Sequence, residues 1–134
     1  IFAYTFDEIS VPFKGFYDVM WKSHNILIDL KTTHALPSSV KQSHAMQVSL
    51  YCAAIGGDID GRVSYVTSKK SSTYKVENMS EHLNALKLTG MAIQRFLSVS
   101  EDPYELASLV MPDLSSYFFK DAAVRQSVWE VWKI

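Results

Sequence analysis

The apolar pattern along the chain changes period several times, and each change marks an element. "IFAYTF" at 1–6 is rich in β-formers and reads as a strand. "FKGFYDVMW" at 13–21 reads as a second strand, entered through Pro12, with Gly15 allowing close backbone approach. "KSHN" turns the chain, and "ILIDLKTT" at 26–33 returns as a third strand. Strands joined by so short a polar turn pair antiparallel. "LPSS" then breaks the pattern, with Ser38 or Ser39 offered as N-cap. A helix follows over 39–55, closed by Gly56-Gly57.

"GRVSYVTS" at 61–68 and "TYKVEN" at 73–78 read as two further strands about the polar run "KKSS". Ser80 opens a long helix to about Ser98, with Leu83, Leu86, Met91 and Ile93 on its apolar face. Asp102 caps the next helix, with Pro103 at N1 and Glu105 at N3, and that helix ends before Pro112. The last helix, 120–132, carries Val124, Val128, Trp129 and Trp132 on its apolar side. The order βββαββααα predicts an α+β (mixed α/β) fold, with 1–134 forming one domain.

Composition narrows this only a little. A chain of 134 residues that is 48% apolar can bury a core without metal or disulfide staples. No stretch is long and apolar enough to span a bilayer, so no membrane partner is expected. The net charge of -1 means that a nucleic-acid partner would be held by a local basic patch. Cys52 is the one cysteine and lies inside an apolar helical pattern, which fits a reducing, cytoplasmic setting. No secretory signal pattern is visible. The chain opens at Ile1 inside an apolar run, from which an N-terminal truncation is expected.

The third strand carries ionisable groups where a core strand would not. Side chains two apart on a strand share a face, about 7 Å apart, so Asp29 and Lys31 lie together while Ile28 and Leu30 face the other way. A hairpin symmetric about 23–24 places Asp18 near residue 29 on the partner strand. Facing carboxylates repel, and a divalent cation between them removes that cost. Oxygen ligands suit Mg²⁺ or Mn²⁺ better than Zn²⁺. A neighbouring lysine can stabilise charge in a phosphoryl transition state. Spacing alone leaves this reading beside a plainer one, a surface ion pair between Lys31 and one aspartate.

The helix that follows favours a pocket. Val40, His44, Gln47, Val48, Tyr51 and Ile55 fall within about a third of the helical wheel. Three polar groups in the middle of a packing stripe need partners. The groups on the third strand, or a bound phosphate, would provide them.

"GFYD" (15–18), "IDLKTT" (28–33) and "HAMQVSLY" (44–51) together resemble the motifs of the PD-(D/E)XK nuclease superfamily. Within it they are most similar to the RecB/Cas4-like exonucleases, including those of phages. The resemblance covers about 13–51, and "MPDLSSYFFKDAAVRQSVWEVW" (111–132) is similar to the tails of phage members. It implies a restriction-endonuclease-like central mixed sheet flanked by helices. It also implies Asp18, Asp29 and the Leu30 carbonyl as Mg²⁺ ligands, with Mn²⁺ as a substitute, and Lys31 as the catalytic lysine. Gln47 and Tyr51, with His44, would brace the site or touch the DNA backbone.

The implied activity is metal-assisted hydrolysis of DNA phosphodiesters by an exonuclease acting in recombination, repair or phage DNA processing. A homo-oligomer or a recombination protein would be its partner besides DNA. The resemblance also implies a further ligand from an upstream helix. No helix precedes the first strand here, and Glu8 is the candidate replacement. Two alternatives stay open: a nuclease-like domain that binds DNA or protein without cleaving, and an endonuclease of the same fold.

Other residues carry weaker signals. His24 and His34 flank the third strand without zinc-ligand spacing. Lys69 and Lys70, with Lys75, offer phosphate contacts on a hairpin tip or simply a solvated turn. Trp129 and Trp132 read as core before they read as base-stacking platforms. Lys120 and Arg125 are further phosphate-contact candidates.

Overall fold

The polar turn at 22–25 organises the central sheet. Lys22–His24 forms a single 3-10 turn, and Asn25 closes it with φ 52°, a left-handed conformation that asparagine tolerates. The chain then returns antiparallel, pairing Val19 with Ile28 and Trp21 with Ile26. The expected symmetry about 23–24 is therefore the observed register.

The computed structural model describes residues 1–133, and the chain forms two compact units, 1–92 and 93 onward. The fold is α+β. Strands β1 (Phe2–Tyr4) and β2 (Phe13–Gly15) form a small antiparallel sheet. Strands β3 (Val19–Trp21), β4 (Ile26–Thr32), β5 (Asp60–Val66) and β6 (Ser71–Lys75) form a mixed sheet in that order. Only β4 and β5 run parallel. Helix α1 (Gln42–Ile55) makes the crossover that a parallel pair requires.

The core lies between α1 and one face of this sheet. Leu27, Val63, Tyr65 and Val76 meet Ala45, Val48, Tyr51 and Cys52 there. On α1 the residues 48–52 are all buried, a wider band than a single stripe, because β1 packs on a second side of the helix. The ring of Phe2 stands edge-on to Tyr51 at 4.9 Å.

Helix α2 spans Met79–Leu97. In the first unit Gly90 lets it approach Ile9 and Phe13, since a Cβ there would stand 2.6 Å from Ile9 Cδ1. The second unit holds α3 (Pro103–Ala107) and α4 (Ala122–Trp132). Asp102 caps α3 through Tyr104 N–H at 2.9 Å, and the Trp132 indole donates to the Ala107 carbonyl at 3.1 Å.

Several expectations need correction. The strand expected at 13–21 is two strands in different sheets. Gly15 ends the first, seated against the rings of Phe2 and Tyr51, and the chain then leaves that sheet to join β4. Neither Ser38 nor Ser39 caps α1. The Tyr65 hydroxyl accepts the Lys41 N–H at 3.0 Å and holds Lys41 extended, so the helix starts from the Lys41 carbonyl.

The hairpin between β5 and β6 is tighter than expected. Thr67 closes residues 67–70 by donating to the Lys70 carbonyl and accepting the Lys69 and Lys70 N–H groups, so β6 begins at Ser71. On α4, Val128 is buried but Trp129 is 53% exposed, with Lys133 Nζ 4.7 Å from its ring centre. The apolar side of α4 is narrower than its sequence stripe. Among the described residues, no helix is long and apolar enough to cross a membrane.

Candidate functional site

The period-2 alternation of β4 carries an ion pair into the core. Leu27, Asp29 and Lys31 share the face covered by α1. Asp29 is 2% exposed, whereas Leu30 on the opposite face is 50% exposed. Burying a carboxylate is costly without compensation. Lys31 Nζ supplies it at 2.9 Å from Asp29 Oδ2. At that distance the charge-assisted pair is the main compensation for the buried carboxylate.

The ammonium also reaches α1. It donates to Gln47 Oε1 at 2.9 Å, and Gln47 Nε2 donates to the Tyr51 hydroxyl. The orientation of the Gln47 amide is dictated by its neighbours, because an ammonium has only donors and must face the carbonyl oxygen. Asp29, Lys31, Gln47 and Tyr51 thus form one directed line from sheet to helix.

His44 lies one turn earlier on α1. Its Nδ1 is 2.8 Å from the Tyr65 hydroxyl, and Tyr65 is the β5 neighbour of Lys31. Burial first, then the positive charge of Lys31, holds the His44 pKa below its ordinary value, with Asp29 partly opposing.

Asp18 approaches from outside the ladder. β3 begins at Val19, and just before it the exposed Asp18 accepts the Leu30 N–H on Oδ2 at 2.8 Å. The carboxylate takes the place of a partner strand at this edge. Asn25 O and Thr33 N–H both bond toward β5, so the alternate residues, Leu30 among them, point to the β3 side. N–H and C=O of a strand residue share a side, so the Leu30 carbonyl faces the same edge as Asp18. The register places Asp18 opposite Asp29, and its carboxylate reaches on to Leu30, one residue beyond that ladder position.

Asp29 Oδ2, Asp18 Oδ1 and the Leu30 carbonyl are hard oxygen donors of the kind Mg²⁺ takes. Two carboxylates and a carbonyl of adjoining strand residues are a donor set that fits a small divalent cation. Water and substrate oxygens would complete its shell. Among the described residues, no group of three or more His, Cys, Asp and Glu side chains could hold a metal ion.

Glu8 pairs with Lys87 on α2. Lys69 and Lys70 sit on the β5–β6 turn closed by Thr67, and Lys75 ends β6. His24 stacks on Trp21, ring centres 3.9 Å apart, in the 3-10 turn, and His34 lies just past β4. In the second unit, Lys120 stands over the Tyr117 ring and Arg125 donates to the Phe119 carbonyl at 2.6 Å.

Tyr65 is the site residue that sequence reasoning missed. Its signal was faint: it falls on the buried phase of β5, where an aromatic looks like ordinary core. Only the register that sets it beside Lys31 makes its hydroxyl part of the site.

No family model matches the chain, and no curated protein matches it. Among solved structures, one described as the crystal structure of SSO0001 aligns at 17% identity with a TM-score of 0.41. The alignment covers 65% of this chain and 44% of that one, so the chain spans less than half of that protein.

Proposed function

We propose that this chain is a Mg²⁺-dependent DNA nuclease of the PD-(D/E)XK type, acting as an exonuclease on phosphodiester bonds. The observation that supports it most is the buried Asp29 carboxylate, 2% exposed, with Lys31 Nζ 2.9 Å away and the Asp18 carboxylate bound to the N–H of the next residue, Leu30. Two carboxylates and an ammonium gathered along one strand edge suit a site for a cation and an anionic substrate together.

Asp29, Asp18 and the Leu30 carbonyl would hold the cation. When bound, it supplies Lewis-acid stabilisation of a phosphoryl oxygen and a more acidic water. The rest is the work of this chain's residues. Gln47 holds Lys31 Nζ at a fixed point, where its charge stabilises negative charge developing on the phosphate. Asp18 is anchored on the Leu30 N–H, on the strand side that the Leu30 carbonyl also faces. Tyr51, buried against Phe2, keeps the Gln47 amide from rotating.

The purified chain should degrade linear DNA with Mg²⁺ or Mn²⁺ and stop when a chelator is added. Inactivity on linear, circular and single-stranded DNA with both metals would overturn the reading. Cutting of closed circular DNA would replace the exonuclease with an endonuclease of the same fold. A second reading follows from the carboxylate count: with Asp18 and Asp29 alone, the pocket would also serve a domain that binds DNA or protein without cleaving. Metal-dependent DNA binding without any product would favour it.

A further inference from the structure

The Tyr65 hydroxyl has two polar neighbours and one proton to give. The Lys41 backbone N–H, 3.0 Å away, can only donate. His44 Nδ1, 2.8 Å away, can do either. Tyr65 is 1% exposed, so no bulk water is at hand for an unused hydroxyl proton. Were Nδ1 protonated, the phenol would receive two donors and its own proton would lack an acceptor among its hydrogen-bond partners. The phenol therefore donates to Nδ1, and a neutral ring then carries its proton on Nε2.

We infer that Tyr65 is a positioning residue that fixes His44 as the Nε2–H tautomer, so that the site presents an N–H donor to a non-bridging phosphate oxygen and not a general base. The choice of phosphate as ligand rests on the nuclease reading, whereas the tautomer rests on the hydrogen bonds alone. Placement supports the role. His44 precedes Gln47 by three residues, so the two stand on one face of α1, and Gln47 is bonded to Lys31. Tyr65 itself lies beside Lys31 across the β4–β5 register. Burial and the charge of Lys31 both disfavour an imidazolium here, which keeps the ring neutral. A neutral ring whose Nδ1 is engaged and whose Nε2 bears hydrogen has no lone pair with which to take a proton from water.

Long-range ¹H–¹⁵N spectra of the ¹⁵N-labelled full chain at neutral pH read the tautomer directly. The His44 signals, identified by their loss in His44→Gln, should show Nδ1 as the unprotonated nitrogen and Nε2 as the protonated one. Tyr65→Phe, close in shape, should move them toward a mixture. A protonated Nδ1 in the wild type, or an unchanged tautomer in Tyr65→Phe, overturns the inference about Tyr65. Cleavage of a short DNA duplex with Mg²⁺ then reads the role of His44. His44→Ala should raise KM about tenfold with little change in kcat, and His44→Gln, which retains an N–H, should recover most of the loss. A collapse of kcat at unchanged KM would make His44 a base and overturn the donor role. If the wild type neither binds nor cleaves DNA, the nuclease reading and the phosphate ligand fall together, while the spectra still decide the part played by Tyr65.

Discussion

Lys31 on β4 and Gln47 on α1 are joined by one hydrogen bond of 2.9 Å, and that bond helps to decide where the ammonium beside Asp29 is held. Without it, the four-carbon side chain would be held by the Asp29 contact alone. Gln47→Leu should leave Lys31 Nζ without its acceptor and the Tyr51 hydroxyl without its donor. The expected loss is about 1–3 kcal/mol of stability, the usual cost of stranding buried polar partners. Urea denaturation measures it, and a variant as stable as the wild type would show that the line from Asp29 to Tyr51 carries no weight.

Asp29 and Lys31 should separate stability from chemistry. Asp29→Ala leaves an uncompensated ammonium, and breaking a buried pair costs about 3–5 kcal/mol. Lys31 retains some access to solvent, so the low end of that range is expected. Lys31→Ala strands the carboxylate, which is the more deeply buried partner, and should cost at least as much. Both variants should lower cleavage by about 10²-fold or more, because each removes charge placed for the transition state. Circular dichroism confirms folding before rates are compared, and full activity in either folded variant would remove these residues from the site.

The sequence carried the frame of this site through its periodicities. Alternation in β4 put Asp29 and Lys31 on one face, and the short polar turn at 22–25 fixed the register that brings Asp18 to the same edge. What it could not carry were facts that depend on two distant segments. The break after Gly15 arises because that residue meets the rings of Phe2 and Tyr51, 13 residues before and 36 residues after it. The start of α1 is set by the hydroxyl of Tyr65, 24 residues downstream of Lys41. The role of Tyr65 depends on β5 running parallel to β4, which sets it beside Lys31. On α4, the helical stripe marked Trp129 as core, yet burial there falls on Val128 and leaves Trp129 exposed.

Gly15 offers a test of that contact. A Cβ built there would stand 2.9 Å from two atoms of the Phe2 ring and 3.1 Å from Tyr51 Cε1. Both rings pack against each other, so neither moves without the other. Gly15→Ala should destabilise the first unit by about 1–3 kcal/mol, the ordinary cost of overpacking. It should also disturb the Gln47–Tyr51 bond, so cleavage should drop more than the stability loss alone explains. A thermal melt paired with an activity assay at low temperature checks both effects, and unchanged values in both would contradict the packing described.

Cys52 should be chemically quiet. Burial, then the negative charge of Asp60, pushes its thiol up to about 11. The thiolate is the reactive form, so little of it exists near neutral pH. Iodoacetamide should modify the native chain far more slowly than the urea-unfolded chain. Equal rates would show that the thiol is not enclosed by α1 and β5.

His44 gives the fold a pH dependence of definite sign. Its native pKa lies below the ordinary value of 6.5, so on acidification the unfolded chain takes up the proton first. Between the two pKa values the unfolded state holds more protons, and stability rises with pH. The contribution is fully present above the unfolded value and is lost as pH falls through the native one. Protonation would also place a second positive charge near Lys31 and turn Nδ1 from acceptor to donor against the Tyr65 hydroxyl. Urea midpoints should therefore fall between about pH 7.5 and pH 5.5 by more in the wild type than in His44→Gln, since that range brackets an ordinary histidine. Parallel declines in the two chains would mean that the proton is taken up elsewhere.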